Sequence, residues 1–249
     1  MTPALAGLAA LAGLAVSPLL VAAIEHAPDD DPLLAGVGRC PACDARRLGI
    51  ACRACGTRRP WSDVGVALGN GALWAAAALR FGPEPAALVY LAFFSTALVL
   101  SVVDLETYLL PNRITYPALV GSSAAIVVVS VVSADDPGRA IAKAAVGAVG
   151  WAGFLLALLG LFWAATGREG LGLGDVKLAA LLGLHVGWIS PLLVIPALFV
   201  AGVAGLVAGV VAFVVRSGES RPYPFGPWLV VGAVVAILAS GPLLDAFGV

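Results

Sequence analysis

The sequence predicts an all-α, polytopic integral membrane helical bundle of about eight transmembrane helices, with one small cytoplasmic loop large enough to fold by itself. Three observations carry that fold class. Of the 249 residues, 61% are hydrophobic and only 12% charged, whereas a soluble domain is near one quarter charged. The apolar residues fall in runs of spanning length, and all four cysteines lie within one sixteen-residue stretch, 40–55. So much apolar surface excludes intrinsic disorder, and a net charge of -1 supplies no phosphate-neutralising face. Nucleic acid is therefore not an expected partner, and membrane lipid is.

Crossing the hydrocarbon core takes about 20 apolar residues per helix. The candidate spans are 3–24, 63–80, 86–103, 114–132, 140–165, 176–190, 191–215 and 226–247. Their length and their Ala and Leu content read as helices, since barrel strands would be short segments alternating with a period of two. The stretch from Val176 to Val215 is too long for one crossing and is expected to turn near Ser190 and Pro191. No Lys or Arg precedes the first run, so that segment is expected to be an uncleaved anchor rather than a signal peptide, although Val21, Ala22 and Ala23 offer small residues after it. The chain then divides into an anchor helix (1–24), a polar cysteine loop (25–62) and a seven-helix core (63–249).

Eight spans put both termini on one side, and the basic residues say which side. Arg39, Arg46, Arg47, Arg53, Arg58 and Arg59 follow the first span, and Arg113, Arg168, Lys177, Arg216 and Arg221 fall in later connections on the same face. The opposite face holds Arg80, Arg139 and Lys143, so the division is eleven against three. Positive charge in short loops is retained in the cytoplasm. The cysteine loop is therefore expected inside and both termini outside.

The cysteines are arranged as Cys40-Pro-Ala-Cys43 and Cys52-Arg-Ala-Cys55. Each CxxC turn presents two thiolates to one ion, and four thiolates close the tetrahedral shell of a structural zinc site. Arg39, Arg46, Arg47 and Arg53 would offset the charge of minus two on such a centre. Two disulfides are the alternative, but they rarely persist on the reducing side of a membrane. Zinc would give the loop the fold it cannot obtain from a core. A closed four-cysteine site leaves no coordination position for chemistry.

Most of the fifteen acids stand in polar connections, Asp29, Asp30, Asp31, Asp135, Asp136 and Glu219 among them. Two do not. Asp104 directly follows the apolar run 98–103, and Asp175 opens the apolar run that begins at Val176. Both are expected at cytoplasmic ends of spans, where one bundle can bring them to the same depth. Ionisable groups beside hydrocarbon tend to face a bundle interior and to be functional. Two carboxylates in contact share one proton, and such a dyad lets one take a proton from water while its protonated partner polarises a scissile carbonyl. The structural alternatives are helix capping for Asp175 and an interfacial pairing of Asp104 with Arg113 or Lys177. His185 lies ten residues beyond Asp175, roughly 15 Å along a helix, too far to serve as a base there; neither it nor His26 is a catalytic candidate. The glycines from Gly170 to Gly174 lack the Gly-Lys-Ser/Thr of a phosphate loop and suit close backbone approach, including that of an extended substrate. Gly183 and Gly187 form a small-residue face for helix packing.

Three blocks resemble the type IV prepilin peptidases, membrane aspartic proteases of the GxGD class. The first is Asp104-Leu-Glu-Thr-Tyr-Leu-Leu-Pro111-Asn112 with Gly121 following; the second is Gly172-Leu-Gly174-Asp175-Val-Lys177-Leu; the third is Pro224-Phe-Gly-Pro227. Together with the CxxC pairs, the likeness covers most of the chain from Cys40 to the last span. The resemblance implies that Asp104 and Asp175 are the catalytic aspartates. It further implies that prepilins or pseudopilins of type IV pilus and secretion systems are the substrates, cut after a glycine behind a basic leader peptide at the cytoplasmic face of the inner membrane. Glu106, Gly172, Gly174 and Lys177 are the expected substrate-proximal residues, with Glu106 and the dyad attracting the basic leader. Bifunctional members also N-methylate the new amino terminus with S-adenosylmethionine. Their Gly-Ser-Phe-x-Asn segment and the Arg-x-Pro before the cysteines are absent here and the stretch between the CxxC pairs is shorter, so that cofactor is expected only if methyl transfer is retained. The rival readings are a proton- or cation-coupled transporter, whose acids would sit near the bilayer midplane, and a noncatalytic assembly factor docking through its zinc loop.

Overall fold

A computed structural model describes residues 3–27, 61–167, 172–215 and 223–248, together with positions 32–34, 37, 39–40, 43, 45 and 52–56 of the cysteine segment. The expectations placed on Asp29 to Asp31, Arg46, Arg47, Arg58, Arg59, Arg168, Gly170, Arg216, Glu219 and Arg221 lie outside the described residues. All the regular secondary structure described is helical: α1 (Pro3–Glu25), α2 (Trp61–Phe81), α3 (Pro85–Thr107), α4 (Asn112–Ser133), α5 (Pro137–Thr166), α6 (Leu173–Ile189), a 3-10 turn (Pro191–Leu193), α7 (Val194–Val215), α8 (Gly226–Leu238) and α9 (Ser240–Ala246). Each of the eight apolar segments is helical, the last as two helices.

Six of them, α1 to α5 and the 191–215 segment, are long and apolar enough to cross a membrane, so the chain is a multi-pass membrane protein. The other two do not pass that test as single straight helices. Helix α6 has 17 residues, about 26 Å at 1.5 Å per residue. The run 226–247 is broken into α8 and α9, which meet at 79°. Pro242 is the reason, because it has no N–H to give the Leu238 carbonyl and its ring would strike that carbonyl in a continuous helix. The turn anticipated at Ser190 and Pro191 is present, with Ser190 in an extended conformation between α6 and the 3-10 turn.

In lipid there is little hydrophobic gain from joining two apolar helices, so close packing and buried hydrogen bonds hold them together. Helices α3, α6 and α8 form the centre, through Tyr90, Phe94, Leu100, Leu178, Leu182, Leu229 and Ala233. Helix α5 lies on α6 because Gly147 meets Gly183 and Gly187 backbone to backbone, where a Cβ on any of the three would collide. Helix α8 reaches α7 the same way, Gly232 facing the Ala197 carbonyl. At the other edge Asn70 of α2 donates to the Gly13 carbonyl of α1 and accepts from Ser95 of α3, whose hydroxyl also receives the indole N–H of Trp74. His185 is fully buried, stacked on Phe93 at 3.9 Å, with its Nδ1 2.9 Å from the Leu181 carbonyl. It is a packing residue.

Two helices overshoot the rest at the end of the bundle that carries the cysteine segment. The Phe225 ring sits on Gly205 of α7, and α7 continues ten residues further to Val215, about 15 Å. Helix α5 runs nineteen residues beyond Gly147, while α6 begins ten residues before Gly183. Both overhangs are apolar and exposed, with Leu161, Phe162 and Trp163 on α5 and Val210, Phe213 and Val214 on α7. The ends of α3, α6 and α8 are thus recessed between apolar walls.

Candidate active site

Asp104 occupies the last turn of α3, where the chain leaves the helix through Tyr108 in the left-handed conformation (φ 57°). That reversal brings Leu109, Leu110 and Pro111 back over the start of α6 before α4 begins at Asn112. Asp175 stands in the first turn of α6, with its N–H bonded to the Gly172 carbonyl at 3.1 Å. It is not the N-cap. Gly172 holds that position in an extended conformation, with no side-chain cap, so the capping alternative for Asp175 is replaced by a third-position carboxylate folded back toward Gly172.

Asp104 and Asp175 stand at the same end of the bundle, since a Cβ on Gly226 would lie 2.7 Å from Asp104 and 3.3 Å from Leu178, three residues beyond Asp175 on α6. Asp104 is 5% exposed and is held by a residue from a third element: the N–H of Gly226, at the start of α8, donates to its Oδ2 at 3.0 Å. A Cβ on Gly226 would lie 2.7 Å from the same oxygen, so only glycine allows this approach. Sequence reasoning noted the Pro224 to Pro227 block but missed this role; the signal was a glycine between two aromatic-proline neighbours at the start of a span.

The remaining parts of the two motif blocks meet around the aspartates. Gly174 takes Leu110 against its bare α-carbon, at 3.2 Å from where a Cβ would stand. Lys177 Nζ donates to Asn112 Oδ1 at 2.9 Å and lies 5.2 Å from the centre of the Tyr116 ring, tying α6 to α4. Gly172 lies beside the Asp175 carboxylate and Gly174 against Leu110, whereas Lys177, two positions past Asp175, reaches α4 instead. Glu106 does not join them. Two residues past Asp104 on a helix, it points to the opposite side and lines a separate cavity of about 170 Å³ with Glu25 and Asp63. Sequence analysis had not singled out either of those acids.

The four cysteines also come together. Their Sγ atoms all lie within 4.8 Å of one another, with Cys40 3.5 Å from Cys55 and Cys43 3.6 Å from Cys52. All four are free thiols, so the disulfide alternative is not the arrangement seen. A tetrahedron with zinc–sulfur bonds of about 2.3 Å has edges of about 3.8 Å, close to the separations of these two pairs. Within each turn the chain closes by Cys43 N–H to the Cys40 carbonyl and Gly56 N–H to the Cys52 carbonyl.

Residues 91–210, a segment containing both aspartates, match the type IV leader peptidase family. The chain is 34% identical over 203 residues to the prepilin leader peptidase/N-methyltransferase of Burkholderia pseudomallei (strain 1026b), covering 79% of this chain and 61% of that protein. It is 37% identical over 179 residues to the protein of the same name from Pectobacterium carotovorum subsp. carotovorum, covering 70% and 57%. For the Pseudomonas putida protein of that name the figures are 36% over 204 residues, 81% and 62%. The chain thus spans about three fifths of the length of these curated relatives. No solved structure matches it.

Proposed function

From the match of residues 91–210 to the type IV leader peptidase family, we propose that the chain is a membrane aspartic endopeptidase removing the basic leader of type IV prepilins or pseudopilins. The observation that supports the reading is the hydrogen bond from the N–H of Gly226 to Asp104 at the end of α3, where α6 begins with Asp175 in its first turn. A hydrogen bond donated to Asp104 suits the carboxylate form. In the proposed division of labour Asp104 takes a proton from the attacking water, and Asp175 carries the shared proton to the scissile carbonyl. Gly172 leaves the backbone beside the Asp175 carboxylate bare, as the approach of an extended peptide requires, while Leu110 covers Gly174.

On this reading the seven-helix part (63–249) is the catalytic core, 1–24 its anchor and 25–62 a cytoplasmic loop. The eleven basic residues on the cysteine face support that orientation, with the site inside and the termini outside. Zinc held by Cys40, Cys43, Cys52 and Cys55 would act as a structural crosslink and take no part in peptide hydrolysis. The relatives' names also include N-methyltransferase, which motivates a second reading in which S-adenosylmethionine serves methyl transfer to the new amino terminus.

The test is cleavage of a full-length prepilin in membranes by the parent chain and by Asp104→Asn and Asp175→Asn at matched expression. Each substitution is expected to reduce cleavage about 10³-fold, the scale of a lost general acid or base. Retained cleavage in either variant overturns the mechanism. Mass measurement of the product, with S-adenosylmethionine added, decides the methylation reading.

A further inference from the structure

Helix α5 rests on α6 and α7 rests on α8, so α5 and α7 diverge and leave a groove of about 740 Å³ between them. Phe154, Leu158 and Phe162 of α5 form one wall, Phe199 and Gly202 of α7 the other, and Phe225 the floor. The groove opens toward lipid, with Leu158 44% and Phe199 71% exposed. No atom lies within 4 Å of where a Cβ on Gly202 would stand, so the backbone of α7 is bare on this face. Small residues at lipid depth are where a second helix approaches closely, and the volume matches about six residues of a helix 10 Å across.

The groove adjoins the chain segment that holds Asp104. Its floor residue, Phe225, directly precedes Gly226, whose N–H donates to Asp104. An apolar helix in the groove therefore brings the chain at its end beside Asp104 and Asp175, between the overhanging ends of α5 and α7. Resting on the peptidase reading above, we propose that the α5–α7 groove seats the apolar transmembrane helix of the substrate and presents the peptide bond preceding that helix to the two aspartates.

The experiment is photocrosslinking. A benzophenone amino acid is placed in the full-length chain at Leu158, at Phe199, or at Val128 on the lipid-exposed surface of α4, each in the Asp104→Asn background, with a full-length prepilin in the same membranes. Cleavage of that prepilin by the parent chain is measured in parallel. Leu158 and Phe199 are expected to crosslink the prepilin helix at least tenfold more than Val128. Gly202→Leu, which fills the groove, should abolish the difference, while Gly202→Ala should keep it. Cleavage by the parent chain without preferential crosslinking from the groove overturns this proposal alone. Preferential crosslinking without cleavage overturns the peptidase reading and leaves the groove as a helix seat. Absence of both overturns both.

Discussion

The N–H of Gly226 reaches Asp104 Oδ2 at 3.0 Å across 122 positions of sequence, joining the start of α8 to the last turn of α3. It is a backbone donor, so no side chain has to be ordered to supply it. The approach exists only because residue 226 lacks a Cβ.

Gly226→Ala should consequently lower prepilin cleavage at least tenfold, because the new methyl group would stand 2.7 Å from Asp104 Oδ2 and displace the carboxylate. Gly121→Ala, whose added carbon meets no atom within 4 Å, serves as the control and should cleave normally. Equal activity of both variants, at equal amounts of folded protein, would remove Gly226 from the site.

The contact of Gly147 with Gly183 and Gly187 sets the distance between α5 and α6, and α6 carries Asp175. Gly147→Val is expected to destabilise the chain by about 2 kcal/mol, the usual scale of overpacking, and to lower the melting temperature in detergent. Gly153→Val on the open face of α5 should change it far less. Identical melting curves for the two would show that the helices separate without cost.

Lys177 reaches from α6 to Asn112 at the start of α4. Lys177→Met removes the donor, and a charge-assisted hydrogen bond of this partly exposed kind contributes about 1 kcal/mol. Cleavage should fall severalfold, with Lys177→Gln, which retains a donor, recovering part of it. If Met and Gln variants behave alike, the bond does not position α6.

Purified chain should contain one zinc per molecule by elemental analysis. Cys40→Ser or Cys52→Ser is expected to remove it and to make the 25–62 segment the first site of protease cutting, while the helical core keeps its helix content. A chain that binds no zinc at neutral pH under reducing conditions would refute the metal assignment, because the four sulfurs already stand within 4.8 Å of one another.

Composition and run length sufficed for the helices, since apolar segments in lipid have few structures open to them. The two candidate aspartates were legible as well, because an acid abutting an apolar run is conspicuous by its cost. The role of Glu106 was not. At 100° per residue, a position two steps from Asp104 faces another partner, and only the placement of α1 and α2 shows that partner to be the cavity with Glu25 and Asp63. Likewise the last span reads as one apolar run, and its bend follows from Pro242 once the helix register around Leu238 is known.

By itself, then, the sequence determined that this protein is a bundle of apolar helices, which residues interrupt them, and that two acids and four cysteines are set apart chemically. Those are local properties, decided by hydrophobicity and spacing along one chain. Only the tertiary structure decided that Gly226 holds Asp104, that Lys177 holds Asn112, and that α5 and α7 part to open a groove floored by Phe225. Such relationships depend on which helix faces approach and at what axial offset, and glycine contacts such as Gly147 with Gly183 set both, through the backbone separation that close packing in lipid demands.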